Sequence, residues 1–275
     1  MSTTATGNPS ASPSRSKREG KPAGGFSLLG HLYLCLYNTA ALVAWAYVFY
    51  LFLEHCLEKR SWMAGGGAPA LYRRLEWPLI IAQSMQIMEI FHAMIGLVRS
   101  GVVTTFIQVF SRLQLVLFLF RQIPASYNTI AFFSLIGAWC LAELFRYPFF
   151  IVQEFLRCFS QGQKAPSSSA SSQTGAEVPM ALKWLRYSGF TLLYPIGITS
   201  EVLCMFESLH TLKLPMFAHY PYPMPNVLNF EANLYFIYIA VLLAYIPGSF
   251  LLYNHMLQQR KKNLYGSGSD KEKRQ

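Results

Sequence analysis

Apolar residues along this chain fall into six long runs, roughly 28–53, 77–98, 103–121, 128–150, 183–206 and 232–256. Each holds about the 20 residues that a helix needs to cross a bilayer. The pattern predicts an all-α fold, a six-helix transmembrane bundle. Two runs are interrupted. The third contains Arg112 and Gln114, and the second contains Gln83, Gln86, Glu89 and His92, so neither faces lipid all round. The connection 159–182 is rich in Ser and Gln, whereas 210–230 carries the Pro and Tyr of an interfacial loop. Polar, basic stretches at 1–25 and 259–275 predict two cytosolic tails, the first disordered, flanking a single membrane domain at 26–258.

Composition agrees with this division. Of 275 residues, 53% are hydrophobic and only 13% charged, against about 25% charged in a typical soluble domain. The net charge of +10 does not indicate nucleic-acid binding, because much of the excess lies in tails and short loops. With six spans both tails share one side. That side carries 14 Lys and Arg and the opposite side six, which predicts cytosolic termini. The five cysteines stand singly, without the CxxC spacing of a zinc site or a disulfide framework.

Helical rise places several polar groups at one depth. Glu89, His92, Gln108, Arg112, Glu143, Arg146 and Tyr194 all fall in or near the tail-side half of their spans. Glu89 and His92, Gln108 and Arg112, and Glu143 and Arg146 are spaced three or four residues apart, so each pair shares a helix face. Charges inside a bilayer mark functional sites by default. The set predicts a polar cavity open to the cytosol. The alternative for each pair is a structural ion pair or inter-helix hydrogen bond.

The fifth run contains LRYSGFTLLYPIGITSE, Leu185 to Glu201. Tyr194 and Glu201 lie seven residues apart, on one face and about 10 Å apart in an unbroken helix. Pro195 removes a backbone donor and predicts a kink or unwound turn between them. Gly197 predicts room for a close approach. A Pro-kinked packing helix with an interfacial Glu201 is the alternative.

At these residues the chain resembles the membrane 3-hydroxyacyl-CoA dehydratases of very-long-chain fatty acid elongation, also called protein tyrosine phosphatase-like proteins. The resemblance covers about 28–262. It is carried by LYLCLYNTAALVAW, QIMEIFHAMIGLVRS, TTFIQVFSR, LAELFRYPFF and, most specifically, the YPxGxxxE core. It implies a six-span endoplasmic reticulum protein that removes water from a (3R)-3-hydroxyacyl-CoA to give a trans-2-enoyl-CoA. It places the catalytic pair on Tyr194 and Glu201, and supporting roles on Arg112, Arg186, Gly197, Glu89, Gln108, Glu143 and Arg146. It also implies other fatty acid elongation enzymes as partners, beside the acyl-CoA substrate and the lipid bilayer. The family's older name prompts a check of His92 to Ser100, HAMIGLVRS. A phosphatase loop needs a cysteine where this chain has Ala93, so cysteine-phosphatase chemistry is excluded.

Elimination of water needs one base at C2 and one acid at the C3 hydroxyl, so no metal or redox cofactor is expected. Glu201 is assigned the base and Tyr194 the acid, with the reverse assignment open. Arg186, with Arg99 or Lys183, is expected to hold the phosphates of the head group. Apolar residues late in the third and fifth spans are expected to line the acyl chain. Lys271 and Lys273 match a K-x-K-x-x retrieval signal on a cytosolic tail. A carrier or a non-catalytic assembly partner is the rival class. A carrier usually shows internal repeats, and none is evident here.

Overall fold

Helix α1 (Leu28–Lys59) shows how the sequence divides its surface between protein and lipid. Leu29, Leu36, Val43, Tyr50 and Leu57 recur every seven residues and are all exposed. On the opposite face Leu34, Asn38, Ala41, Trp45 and Val48 are buried. Both faces are largely apolar, as expected of a helix with hydrocarbon on one side and protein on the other. A computed structural model describes residues 28–59, 67–98, 100–162, 177–214, 221–222, 227 and 232–265.

The remaining helices are α2 (Gly67–Met85), α3 (Ile87–Met94), α4 (Val102–Gln114), α5 (Phe120–Gln122), α6 (Ile130–Gly162), α7 (Met180–Leu212) and α8 (Leu234–Arg260). A π-helical turn, Leu115–Leu119, joins α4 to α5. Another, Lys261–Tyr265, extends α8. Pro221–Tyr222 and Ala232–Asn233 form a two-residue antiparallel ladder at the entry to α8. Asn233 caps that helix by accepting from the Tyr235 N–H at 2.9 Å.

Among the described residues five segments are long and apolar enough to cross a membrane: α1, α4 with its continuation to Gln122, α6, α7 and α8. α2 with α3 lines up with the second apolar run and forms the sixth helical segment of the bundle. It is broken at Gln86, where bonds between residues three apart replace the helical pattern. The long helices overrun the apolar runs that mark them. α6 and α7 have 33 residues each, about 50 Å of helix against a hydrocarbon core of about 30 Å. Their ends therefore project beyond it.

Packing follows the order α2, α1, α6, α7, α8, with α4 closing against α2, α3 and, through its π-helical turn, α7. α6 is the most enclosed of the apolar helices and α8 the least. The apolar core fills the half of the bundle distant from the chain ends. Trp45, Leu71, Leu75, Leu119, Phe120, Phe132, Trp139, Met205 and Leu212 meet there. The polar residues that share one depth in the sequence occupy the other half.

Candidate active site

α3 ends where its glycine dictates. Gly96 has φ +73°, and its N–H reaches the Ala93 carbonyl at 3.2 Å while the Leu97 N–H reaches His92 at 2.8 Å. This paired pattern with a left-handed glycine is a helix stop. The glycine of HAMIGLVRS thus terminates a helix. His92 is buried between Tyr33 and Tyr37, with its Nε2 2.8 Å from the Tyr33 hydroxyl. Arg99 lies outside the described residues, as do 1–27 and the Lys271 and Lys273 signal.

The break at Gln86 turns α2 and α3 toward α6. Gln86 Nε2 donates to Glu143 Oε1 at 3.1 Å. Arg112 of α4 donates to the same oxygen, and Arg146 Nε donates to Oε2 at 2.6 Å. Arg146 also grips Glu89 with two parallel bonds of 2.6 and 2.8 Å. The Tyr147 hydroxyl donates to Glu89 Oε1 at 2.8 Å. Glu89, Arg112, Glu143 and Arg146 therefore form one network across three helices. Two acids and two arginines here neutralise one another, as charges in a low-dielectric interior must. Gln108 does not join. It is exposed, one residue around α4 from the buried Val109.

Glu201 lies on the inward face of α7, in line with buried Gly197, Cys204, Ser208 and Leu212. Both of its oxygens have donors. Trp139 Nε1 of α6 reaches Oε1 at 3.0 Å and the Tyr245 hydroxyl of α8 reaches Oε2 at 2.9 Å. The Arg112 guanidinium stands 5.4 Å over the Trp139 ring. It thereby joins the charge network to the Glu201 pocket. Ser134 of α6 and Ser200 of α7 share a 2.7 Å hydrogen bond, which locks the helices on either side of the carboxylate.

Tyr194 faces α8. Its hydroxyl donates to the Ser249 carbonyl at 3.4 Å and its ring stacks on Tyr253 at 5.7 Å. The phenol bonded to Glu201 in this structure is thus Tyr245. Below both, a groove of about 390 Å³ runs between α7 and α8, from Ser249 and Tyr245 past Ile198, Val202 and Ile246 to Phe206 and Leu209. Its wall is almost wholly apolar. Tyr245 and Ser249 are its polar members and the direct partners of Glu201 and Tyr194.

No unwound turn forms at Pro195: α7 is helical without interruption from Met180 to Leu212. Nor does Gly197 admit a close helix contact. A β-carbon there would meet nothing within 4 Å, although the residue is buried. The close approach is at Gly189, where a β-carbon would fall 2.8 Å from the Phe145 ring. Gly189→Ala is therefore expected to lower the thermal midpoint of the detergent-solubilised protein through overpacking of about 1–3 kcal/mol. Gly197→Ala is expected to leave that midpoint unchanged or raise it, since Ala is favoured over Gly in a helix by about 1 kcal/mol. Differential scanning fluorimetry on both variants checks the contrast.

Arg186 lies nearer the tail-side end of α7, over the rings of Phe150, Phe149 and Tyr187 at 4.3, 4.8 and 5.6 Å. Lys183 is tied to Glu177 at 2.8 Å. Sequence reasoning missed Trp139 and Tyr245. Each is an aromatic in an apolar run and carries no local signal of its partner.

Comparison with known proteins adds a family. The model of the protein tyrosine phosphatase-like protein family, PTPLA, matches residues 83–163 and 167–266. Very-long-chain (3R)-3-hydroxyacyl-CoA dehydratase PASTICCINO 2 of Arabidopsis thaliana is 37% identical over 242 residues, 88% of this chain and 97% of the relative. The dehydratase hpo-8 of Caenorhabditis elegans is 33% identical, covering 87% of this chain and 97% of the relative. Human very-long-chain (3R)-3-hydroxyacyl-CoA dehydratase 2 is 28% identical over 86% of this chain and 82% of its own. No solved structure matches the chain.

Proposed function

Because the chain belongs to the protein tyrosine phosphatase-like protein family, we propose that it is a very-long-chain (3R)-3-hydroxyacyl-CoA dehydratase, a carbon–oxygen lyase. One observation carries the reading beyond the relatives' names. A buried carboxylate and a phenol on one helix each bond a residue that lines the same apolar groove. A long acyl chain fits such a groove, and the bond to be broken then lies at its polar end.

In the reaction Glu201 takes a proton from C2, and the C2–H electron pair forms the C2–C3 double bond. The C3–O bond breaks as Tyr194 gives its phenolic proton to the departing hydroxyl, which leaves as water. Glu201 then gives its proton to water and the Tyr194 phenolate takes one from water, which resets both groups. One positioned base and one positioned acid supply the catalysis. Trp139 and Tyr245 hold the carboxylate in place with one donor on each oxygen. Arg112 and its network hold Trp139 from behind. The acyl chain lies between the fifth and sixth crossings, in place of the third and fifth expected from sequence.

Residues 26–258 serve in this reading as the membrane-embedded catalytic unit. It sits in the endoplasmic reticulum with both termini cytosolic, and works beside the other enzymes of fatty acid elongation. The excess of basic residues on the tail side supports the orientation.

The test is turnover of a purified (3R)-3-hydroxyacyl-CoA in detergent, followed by mass spectrometry. Loss of water giving the trans-2-enoyl thioester is expected. Intact substrate, together with acyl flux across liposomes bearing the protein, would establish a carrier instead. Tyr245→Phe is expected to reduce kcat by roughly 10–100-fold, the loss of a hydrogen bond to a charged group worth about 1.5–3 kcal/mol. Steady-state kinetics on the variant checks this.

A further inference from the structure

The catalytic reading leaves one half-buried cation unused. Arg112 and Arg146 are both ion-paired to acids. Arg186, on the same side of the bundle, has no carboxylate partner among the described residues. Three aromatic rings surround it, and its Nε is buried without a hydrogen-bond partner. Cation–π contacts and a side-chain hydrogen bond with Tyr187 hold the Arg186 guanidinium in place but bring no carboxylate to it. A second arginine shows the same feature: Arg260, in the last turn of α8, also has a buried Nε without a partner and no ion pair among the described residues.

The two arginines lie at nearly the same height. Phe190 and Tyr194 of α7 both pack against Tyr253 of α8. Arg186 is about 6 Å beyond Phe190 and about 12 Å beyond Tyr194, and Arg260 about 10 Å beyond Tyr253, all toward the tail side, counting helical rise along the two antiparallel helices. The next cation on α7, Lys183, is already tied to Glu177.

We propose that Arg186 and Arg260 together form a phosphate-binding subsite that takes the nucleotide head of the acyl-CoA. The inference rests on the dehydratase reading and extends it. Along α7 the order becomes phosphates at Arg186, reaction at Tyr194 and Glu201, and acyl chain from Ile198 to Leu209. Arg186 stands about 12 Å from Tyr194 and about 22 Å from Glu201 along the axis. An extended pantetheine arm joins the two regions. This is the linear order of the substrate itself. Guanidinium forks suit this role because they bind phosphate oxygens with two parallel bonds.

The experiment compares two thioesters of one 3-hydroxyacyl chain, with coenzyme A and with pantetheine alone. The full chain is held in nanodiscs of neutral phosphatidylcholine. Arg186→Gln and Arg260→Gln are each expected to raise KM for the CoA thioester about 10-fold or more, on the scale of a lost charge-assisted bond. KM for the pantetheine thioester is expected to move less than about 2-fold, because that substrate has no phosphate for the arginine to hold. Equal effects on both thioesters would overturn the subsite. Titration with desulfo-coenzyme A reads binding without turnover. Weaker binding in both variants supports the proposal even if the wild-type protein dehydrates nothing, an outcome that would sink the dehydratase reading alone. Unchanged desulfo-coenzyme A affinity, with lost retention of phosphatidylserine in the variants, would assign the arginines to lipid headgroups and overturn the proposal. Arg186→Lys keeps the charge without the fork and is expected to recover part of the affinity. It serves if the Gln variant does not fold.

Discussion

Glu201→Gln and Tyr194→Phe each lower kcat for dehydration by roughly 10²–10⁴-fold, the range for loss of a positioned acid or base. Both substitutions preserve shape. Gln retains an oxygen that can accept from Trp139 or Tyr245, which hold the carboxylate at 3.0 and 2.9 Å. Phe keeps the Tyr194 ring stacked on Tyr253 and gives up a 3.4 Å bond to the Ser249 carbonyl. Neither variant creates a cavity, so stability is expected to change little while turnover collapses. Steady-state kinetics paired with thermal unfolding separates the two effects. The double variant is expected to be little worse than the worse single one, because the two groups act on one bond-breaking step and their effects are not additive.

The largest stability effect is expected at Glu143. Its two oxygens accept from Gln86 at the break between α2 and α3, from Arg112 of α4 and from Arg146 one turn along α6. Glu143→Ala removes the acid between two guanidiniums. Arg146 keeps Glu89, but Arg112 is left buried in part and without its acid. Breaking a buried pair from one side costs about 3–5 kcal/mol because a charge remains uncompensated. Activity is expected to fall as well, since Arg112 supports the Trp139 ring that holds Glu201. Replacing Arg112 along with Glu143, by Met and Leu, is expected to recover much of the stability. Unfolding in mixed micelles, followed by tryptophan fluorescence, gives the ranking.

Much of this architecture was legible in the sequence because a bilayer restricts the choices. Apolar runs of fixed length gave the crossings. Helical rise then placed Glu89, Arg112, Glu143 and Arg146 at one depth, and charges at one depth in lipid have to find each other. Lateral arrangement was not legible in the same way. α8 is apolar around its whole circumference, and Tyr235, Tyr238, Tyr245 and Tyr253 read alike until α7 packs beside it. The choice of Tyr245 as the partner of Glu201 depends on the rotation of α8, which no local pattern fixes. Trp139 is hidden for the same reason on α6.

Local rules misled at three positions. Pro195 suggested a kink or unwound turn, and α7 stays helical through it without unwinding, as membrane helices can. Gly197 suggested close packing and instead faces open space, while Gly189 carries the tight contact with Phe145. Gln108 shares the nominal face of Arg112 at four residues' spacing. The inward direction of α4 nevertheless passes through Val109, leaving Gln108 exposed. Spacing gives the angle between residues on one helix, and only packing gives the direction in which that face points.

The most direct test is to find where the substrate chain lies. A 3-hydroxyacyl-CoA carrying a diazirine on its acyl chain, photolysed with the membrane-embedded protein and mapped by peptide mass spectrometry, is predicted to label α7 within 198–209 and α8 within 239–249. Labelling confined to the far surface of α1, or to α2, would put the chain elsewhere and contradict a reaction centred on Glu201 and Tyr194.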